Sequence, residues 1–430
     1  MKNSKLMNFF KKLFKLLYLK LLLLTNGLFI MTSEILILTP SAVALAADSA
    51  VTIGNRKTYN GVNKLFMLSN DPPMGIMTYN LSDFSNVPFE TIIKEFRHEI
   101  KDENLSTVEE FRDKFVEFLD RLVKDSLYIC SFEDKLLKFI KPLCSDQISI
   151  DGNSFMNIIK NIPNDWDYDI FGEISKLIIE NLDKNNDKFI KVISKFDKLN
   201  PEEVLDLFKR FFVYEEFLKP FTGVVIAGFN KDRLFPSYVE FNINYLFDEI
   251  FTFNEISKKD MCGDDVCVMP FAQDDVIDTF LANMDRSTRY KLIMYVNNIY
   301  NNYSVTLKEA INSNPNLTDD EKLKFINEIS KIELANNDLS NSFEVFLDQL
   351  KQDHSEPILD SILSLPKEEL SNLAESLIKI TSLKRKVQSD LETVGGPVDV
   401  AIITRGDGFI WTKRKHYFDG DLNPQFFKRE

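Results

Sequence analysis

The stretch from Thr32 to Lys64 constrains the fold more than any other part of this 430-residue chain. It contains two short apolar runs, Ile35–Leu38 and Ala42–Ala47, which have the length and composition of buried β-strands. Thr32 precedes the first run, Asp48 directly follows the second, and Lys64 comes later, so that two equal steps of sixteen residues separate the three. Taken singly, each of these residues is most often solvated surface. Their joint spacing around two strands predicts a site that the strands assemble.

The same stretch resembles the proteasome-type N-terminal nucleophile (Ntn) hydrolases. In that family a mature N-terminal threonine opens the first strand, an Ala-Ala-Asp-Ser motif closes the next, and a lysine follows on a third. Ala46-Ala47-Asp48-Ser49 matches the motif. The resemblance implies Thr32 as nucleophile, with Asp48 and Lys64 as its charged neighbours. It also implies an α+β fold, a four-layer αββα sandwich of two stacked sheets between helical layers.

The chemistry of these residues depends on where the mature chain begins. A threonine hydroxyl needs a base, and a chain-terminal threonine carries one in its own α-amine, whose ordinary pKa is about 7.7–8.0. A nearby ammonium such as Lys64 favours the neutral amine, and Asp48 would keep Lys64 charged and oriented. Met31 stands directly before the small residue Thr32, and an initiator methionine in that position is commonly removed. We therefore expect translation to start at Met31 and residues 1–31 to be an over-extended start or a removable leader.

Residues 1–31 also leave two alternatives open. They combine six lysines with an apolar run, and Ala42–Ala46 looks like a signal-peptidase site, which together would make the protein exported. Against this, Lys20 interrupts the run, and Ser33 and Glu34 stand where the apolar core should continue. The leader could instead be a basic amphipathic anchor on a membrane. We expect a cytoplasmic protein that meets a membrane only if the leader is real.

Composition excludes several classes of partner. The formal net charge of −14 argues against binding to nucleic acid. Four cysteines are few for this length and fit a reducing compartment. Cys262 and Cys267 could form half a metal site, but no second cysteine pair has ligand spacing and the chain has three histidines. We expect no metal and no other cofactor.

Further site residues follow from the resemblance. Two predicted strands, Leu65–Ser69 and Met74–Tyr79, flank a proline-containing turn. In the family the corresponding second strand ends in a backbone N–H that faces the substrate oxyanion, which places the donor near Tyr79 or Asn80. Tyr79 stands where the family has what looks like a glycine.

The residues that support the threonine in the family are only partly matched. A serine-glycine-serine turn in the family corresponds here to Met269–Gln273, where Gln273 is the candidate substitute. Near the C-terminus, Gly395-Gly396 and a predicted hairpin resemble the family's end. The aspartate and serine that precede its glycines have neighbours here in Asp390 and Thr393, each one residue out of register. Because these supporting residues differ from the family pattern, an inactive Ntn-fold scaffold is an alternative to an enzyme.

Helical stripes of apolar residues predict two insertions into the core. They run through residues 108–122 and 205–212, and again through 290–299 and 370–380. The predicted organisation is a leader or over-extended start (1–31), a first segment of the Ntn core (32–96), a helical insertion (97–219), a second segment of the core (220–287), a second helical insertion (288–388), and a C-terminal hairpin and tail (389–430).

The expected activity is hydrolysis of an amide or peptide bond, or acyl transfer, through an acyl-Thr32 ester. The expected partners are a peptide or amide substrate and further copies of the chain in a homo-oligomer. The alternatives are a catalytically inactive Ntn-fold binding protein and an exported helical protein with a cleaved signal peptide.

Overall fold

The computed structural model describes residues 32–53, 57–84, 87–125, 221–247, 250–272, 275–334, 337–388 and 395–423. Within these ranges the chain is an α+β fold of helices and antiparallel sheets. The strands are β1 (Glu34–Leu38), β2 (Val43–Ala47), β3 (Ala50–Ile53), β4 (Lys57–Asn60), β5 (Leu65–Asn70), β6 (Pro73–Asn80), β7 (Asp83–Phe84), β8 (Val87–Pro88), β9 (Thr222–Phe229), β10 (Pro236–Phe247), β11 (Ile250–Asp260), β12 (Cys267–Phe271), β13 (Asp399–Thr404) and β14 (Gly408–Lys413). The helices are α1 (Phe89–Glu99), α2 (Val108–Asp125), α3 (Asp275–Ala282), α4 (Arg286–Ser313), α5 (Asp319–Leu334), α6 (Asn337–Leu363) and α7 (Lys367–Gln388), and a 3-10 turn spans Ile100–Asp102.

The first sheet has the order β12-β1-β2-β13-β14 and contains both apolar runs of the N-terminal stretch. All neighbours are antiparallel, and Leu36 of β1 lies opposite Leu45 on one side and Met269 on the other. Every residue of β1 and β2 is buried. Burial on both faces explains why these strands are continuous apolar runs instead of alternating patterns.

The second sheet has the order β11-β10-β9-β6-β5 and packs against the first. One apolar cluster joins the facing sides of the two sheets, with Leu36 and Leu45 from the first and Met77 and Val225 from the second. The period of two along a strand puts alternate residues on the opposite faces.

Those opposite faces are covered by helices. Ile35 and Ile37 of the first sheet share a cluster with residues of α3, α6 and α7. Ile226 and Phe241 of the second sheet share another with residues of α1 and α2.

Most of the predicted elements in the core are present. The two strands expected around the proline turn are β5 and β6, the C-terminal hairpin is β13 and β14, and the helical stripe at 108–122 lies in α2. Several strands were not anticipated, or only in part. The largest are β12, which pairs with β1, and β11, which pairs with β10 and runs from Ile250 to Asp260 where only Phe251–Phe253 had strand character. The short strands β3, β4, β7 and β8 were not predicted either. The stripe at 205–212 lies outside the described residues.

The second predicted insertion is helical, as the periodicity indicated. The apolar stripe of α4 is partly covered: Leu292, Ile293 and Val296 are half-buried, whereas Tyr290 and Ile299 are 50% and 52% exposed.

Two observations bear on the expected localisation. None of the described helices combines the length and the apolar character needed to cross a bilayer. The segment Ala42–Ala46, which looks like a signal-peptidase site, is buried and lies mostly in β2, which pairs with β1 on one side and β13 on the other.

We predict that Gly223→Ala destabilises the fold at the central strand pair. Gly223 of β9 lies opposite Tyr79 of β6, and an added Cβ would lie 1.9 Å from a carbon of the Tyr79 ring. That ring cannot move aside easily, because its hydroxyl donates to Glu240 and its face stacks on Phe271. We expect the free energy of unfolding to fall by at least about 1–3 kcal/mol.

Chemical denaturation measures this effect, and Gly61→Ala is the matched control because no atom lies within 4 Å of the position of its added Cβ. Equal stability of the two variants would contradict the close packing of Tyr79 on Gly223.

Candidate functional site

Thr32 and Glu34 lie together at the entrance of β1. Residues two apart on a strand share a face, and the face they share looks towards the second sheet, since Leu36 belongs to the cluster between the sheets. The Thr32 hydroxyl donates a hydrogen bond to Glu34 Oε2 over 3.0 Å. Both residues are fully buried. A hydroxyl and a carboxylate therefore share an interior site.

The Lys64 ammonium lies between two carboxylates. Lys64 Nζ forms an ion pair and hydrogen bond with Asp48 Oδ1 and lies 3.2 Å from Glu34 Oε1. Asp48 follows β2 of the first sheet and Lys64 precedes β5 of the second, so the pair bridges the two sheets. All three side chains are buried. Buried charges are tolerated only when they are paired and hydrogen-bonded, and here the pairing is mutual.

The environment changes the ionisation of two of these groups. Burial, reinforced by the negative charge of Asp48, raises the pKa of Glu34 to about 8, although Lys64 opposes the shift. For Lys64, burial lowers the pKa, but the carboxylates of Asp48 and Glu34 outweigh it and hold the pKa above its ordinary value. Lys64 therefore stays charged, while Glu34 changes its charge near neutral pH.

Backbone donors hold Asp48 in place. The Ser33 N–H donates to Oδ1 over 3.3 Å, and the Gly395 N–H donates to Oδ2 over 3.0 Å. The neighbouring Ser49 donates its N–H to the Gly395 carbonyl and its hydroxyl to the Pro397 carbonyl. The loop that leads into β13 is thus fastened to the Ala-Ala-Asp-Ser segment.

That loop needs its second glycine. Gly396 has a φ of +78°, in the left-handed region, and an added Cβ would lie 2.9 Å from Asn60 Cβ. A side chain at this position would be both strained and crowded.

A backbone donor completes the surroundings of the Thr32 hydroxyl. The Asn80 N–H points to Thr32 Oγ over 3.3 Å, and Asn80 has a φ of +68° at the end of β6. Asn is among the non-glycine residues that adopt this conformation most readily. Oγ therefore has an N–H donor on one side and the Glu34 carboxylate on the other.

The Tyr79 side chain lies in the space between the sheets. Its hydroxyl donates to Glu240 Oε1 over 2.6 Å, and its ring stacks on Phe271 with the ring centroids 5.3 Å apart. Burial, followed by the charge of Glu240, raises the pKa of Tyr79 far above its ordinary value. Tyr79 thus fills the space beside the site and stays protonated.

The structure brings Thr32, Asp48 and Lys64 into one cluster, with Glu34 as the bridge between Thr32 and Lys64. Of the two residues expected near the oxyanion, Asn80 supplies the N–H that contacts Thr32. The three candidate supporting residues, Gln273, Asp390 and Thr393, lie outside the described residues.

Sequence reasoning missed Glu34. It was weighed only as an interruption of an apolar leader, although a signal was available. Glu34 is the single charged residue in a run that is otherwise apolar through Leu38, and it stands two positions after Thr32. On a strand that spacing places the two side chains side by side.

Thr32 and Asp48, at the two ends of the cluster, differ in their access to solvent. Thr32 is 0% exposed. A cleft of 340 Å³ reaches Asp48 from the side of α7, between Glu375 and Lys379 of that helix and the Gly395–Val398 loop. Among the residues that the structure describes, no group of three or more His, Cys, Asp or Glu side chains converges as metal ligands.

Comparison of the sequence with protein-family models and with curated proteins gives no match. The functional argument therefore depends on the residues of this chain and their geometry.

We predict that Lys64→Met destabilises the protein strongly, because it leaves the buried Asp48 carboxylate and the Glu34 carboxyl group beside it without a cation. Removing one partner of a buried pair costs about 3–5 kcal/mol. The matched control is Lys94→Met, which breaks a 2.6 Å pair with Glu90 on the surface of α1 and should cost about 0–1 kcal/mol. Denaturant titration measures both variants, and similar losses in the two would contradict the buried pairing.

We also predict a pH dependence of stability that belongs to Glu34. Its pKa rises from 4.5 to about 8 on folding, so the folded protein holds the proton more tightly than the unfolded chain. The stabilisation is fully present below the unfolded pKa and is lost as the pH rises through the folded pKa. The free energy of unfolding should fall across this window by up to about 1.4 kcal/mol per pH unit.

The measurement is denaturant titration at a series of pH values. Glu34→Gln should remove the slope, whereas Glu117→Gln, on the exposed side of α2, should keep it. A slope unchanged in Glu34→Gln would show that another group is responsible.

Proposed function

We propose that this protein is a threonine-nucleophile hydrolase of the proteasome-like Ntn type, which cleaves amide or peptide bonds through an acyl-Thr32 intermediate. The observation that carries the proposal is the position of Thr32 Oγ. It lies 3.3 Å from the Asn80 N–H and 3.0 Å from the Glu34 carboxylate, next to the buried Lys64–Asp48 pair. A hydroxyl in contact with an acceptor and an N–H donor, with a fixed cation paired to that same acceptor, has the groups that acyl transfer requires.

The arrangement of helices and sheets supports the same proposal. Two antiparallel five-stranded sheets pack face to face, with α7 outside the first sheet and α1 and α2 outside the second. This order is the one expected of a four-layer αββα Ntn sandwich, and the threonine lies at the start of a strand within it.

Each residue then has a role in the reaction. Thr32 Oγ attacks the carbonyl carbon of the substrate, and the Asn80 N–H and the Lys64 ammonium stabilise the negative charge that develops. Asp48 is a positioning residue, because it holds Lys64 and accepts backbone N–H bonds from Ser33 and Gly395. Loss of the amine leaves an ester on Thr32, which water hydrolyses.

The mature chain begins at Thr32 in this proposal, in the cytoplasm, after removal of Met31 or of a leader. A cut at Ala42–Ala46 would instead separate β1 and Thr32 from the sheet that contains them. Intact mass of the natural protein reads the N-terminus directly.

The second candidate function is an inactive Ntn-fold scaffold that binds a partner. The complete burial of Thr32 favours it, since a substrate must reach Oγ before any reaction occurs. Chemical labelling of Thr32 distinguishes the two functions.

We predict that a β-lactone probe acylates Thr32 of the purified natural protein, and that Thr32→Ala abolishes the adduct while Thr32→Ser keeps it. A β-lactone needs only a nucleophilic hydroxyl, and its ring opens without a leaving group. Mass spectrometry of the intact chain and of its peptides locates the adduct.

Thr306→Ala is the control, because Thr306 lies on α4 and its hydroxyl donates to the Asn302 carbonyl of the same helix. It should react as the natural protein does. Absence of any adduct at Thr32 would favour the scaffold, and an adduct that survives in Thr32→Ala would exclude Thr32 as the nucleophile.

A further inference from the structure

The packing of β1 by itself does not require a glutamate at position 34, since an apolar side chain would pack there as well. The other four residues of the strand are Ile and Leu, and all are fully buried. Burying a carboxyl group in such surroundings is costly unless it has polar partners. Its partners here are the Thr32 hydroxyl, at 3.0 Å from Oε2, and the Lys64 ammonium, at 3.2 Å from Oε1. Both belong to the candidate site, so the carboxyl group belongs to it too.

We propose that Glu34 is the general base that takes the proton of the Thr32 hydroxyl, an inference that rests on the proposed role of Thr32 as nucleophile. Oε2 already accepts the hydrogen bond along which the proton would move. Proton transfer needs a heavy-atom separation of about 2.6–3.2 Å, and the observed distance lies in this range. Glu34 touches a reacting atom and is in that sense a catalytic residue.

The step balances in protons and electron pairs. As Oγ forms a bond to the carbonyl carbon, its proton passes to the Glu34 carboxylate, and the carbonyl electron pair moves to the oxygen that faces the Asn80 N–H. When the intermediate collapses, the C–N bond breaks and the departing nitrogen takes the proton from Glu34. In deacylation water gives one proton to Glu34, its oxygen forms the new acid, and the proton returns to Thr32 Oγ.

The competing base is the α-amine that a chain beginning at Thr32 carries, and the other side chains beside Thr32 are less able to accept a proton. The Asp48 carboxylate is engaged by the Lys64 ammonium and by the N–H groups of Ser33 and Gly395. Lys64 is an ammonium held charged by two carboxylates and has no lone pair to offer. The Tyr79 hydroxyl donates to Glu240. Glu34 is the group in this cluster that contacts the hydroxyl as an acceptor.

The ionisation of Glu34 suits this role. Burial raises its pKa to about 8, helped by Asp48 and opposed by Lys64. The charged and titratable side chains facing it are Lys64 before β5, Asp48 after β2 and Tyr79 on β6, while its partner position on β12 is the uncharged Phe271. A chain that begins at Thr32 adds the α-amine of that residue, which contacts Glu34 through its hydroxyl. A base whose pKa lies near the working pH is present in part in its deprotonated form and is strong enough to take the proton.

The test measures the rate of β-lactone acylation of Thr32 in the purified protein across pH, for the natural chain, Glu34→Gln and the control Glu117→Gln. In the natural chain and the control, the rate constant should rise about tenfold per pH unit below a midpoint near 8 and then level off. In Glu34→Gln it should be lower by about 10²–10⁴-fold and lack that midpoint. A merely structural role for Glu34 would lower the rate without removing the midpoint.

The outcomes separate the two proposals. No acylation of Thr32 in the natural chain at any pH would overturn the nucleophile and the base together. Acylation with the midpoint retained in Glu34→Gln would leave Thr32 as nucleophile and overturn Glu34 as base, in favour of the α-amine, whose ordinary pKa of about 7.7–8.0 is similar.

A measurement on the natural chain keeps the inference falsifiable if Glu34→Gln fails to fold. Carboxyl-carbon NMR of protein labelled at glutamate gives the pKa of Glu34 directly, assigned by its loss in Glu34→Asp. Agreement of this pKa with the kinetic midpoint supports the proposal, and a difference of more than about one unit overturns it.

Discussion

The burial of one lysine between two carboxylates is the interaction on which the rest of this site depends. Lys64 enters from the second sheet, Asp48 and Glu34 from the first, and the three side chains meet where the sheets face each other. Removing such groups from water costs several kcal/mol per ion, and only a correct geometry compensates for it. The two sheets can therefore pack in the observed register only if these three side chains meet, which ties the fold to the geometry around Thr32.

Asp48 also links the site to the segment around Gly395, far away in sequence. Its second oxygen accepts the Gly395 N–H, across 347 residues of sequence. The elements that surround Thr32 thus come from both ends, and the long helical segments between them add little to the entropy of closing the loop, because that cost rises only slowly with loop length. This explains how helices such as α4, α5 and α6 can lie in sequence between the elements that meet in the central cluster.

Local patterns predicted much of the fold and some of the site. Continuous apolar runs identified β1 and β2, because both faces of these strands are buried. The family resemblance, with its two steps of sixteen residues, identified Thr32, Asp48 and Lys64, which the sheets bring together. The pairing of β12 with β1 could not be predicted, since it depends on a partner more than 200 residues away in sequence. How far the apolar stripe of α4 is covered could not be predicted either. Periodicity indicates that a helix has an apolar face and does not indicate what covers it.

The burial of Thr32 and the basicity of Glu34 have the same physical origin. The surroundings that leave Thr32 fully buried also raise the pKa of Glu34 towards 8 by excluding water from its carboxylate. In the proposed mechanism, an opening that admits a substrate would hydrate Glu34 and move its pKa back towards 4.5, where it is a weaker base. A peptide that fills the opening would restore the dry surroundings, whereas water would not. The proposed base would therefore be strongest when a substrate of the right shape has closed the site around Thr32, which would make the fit of the substrate integral to the chemistry.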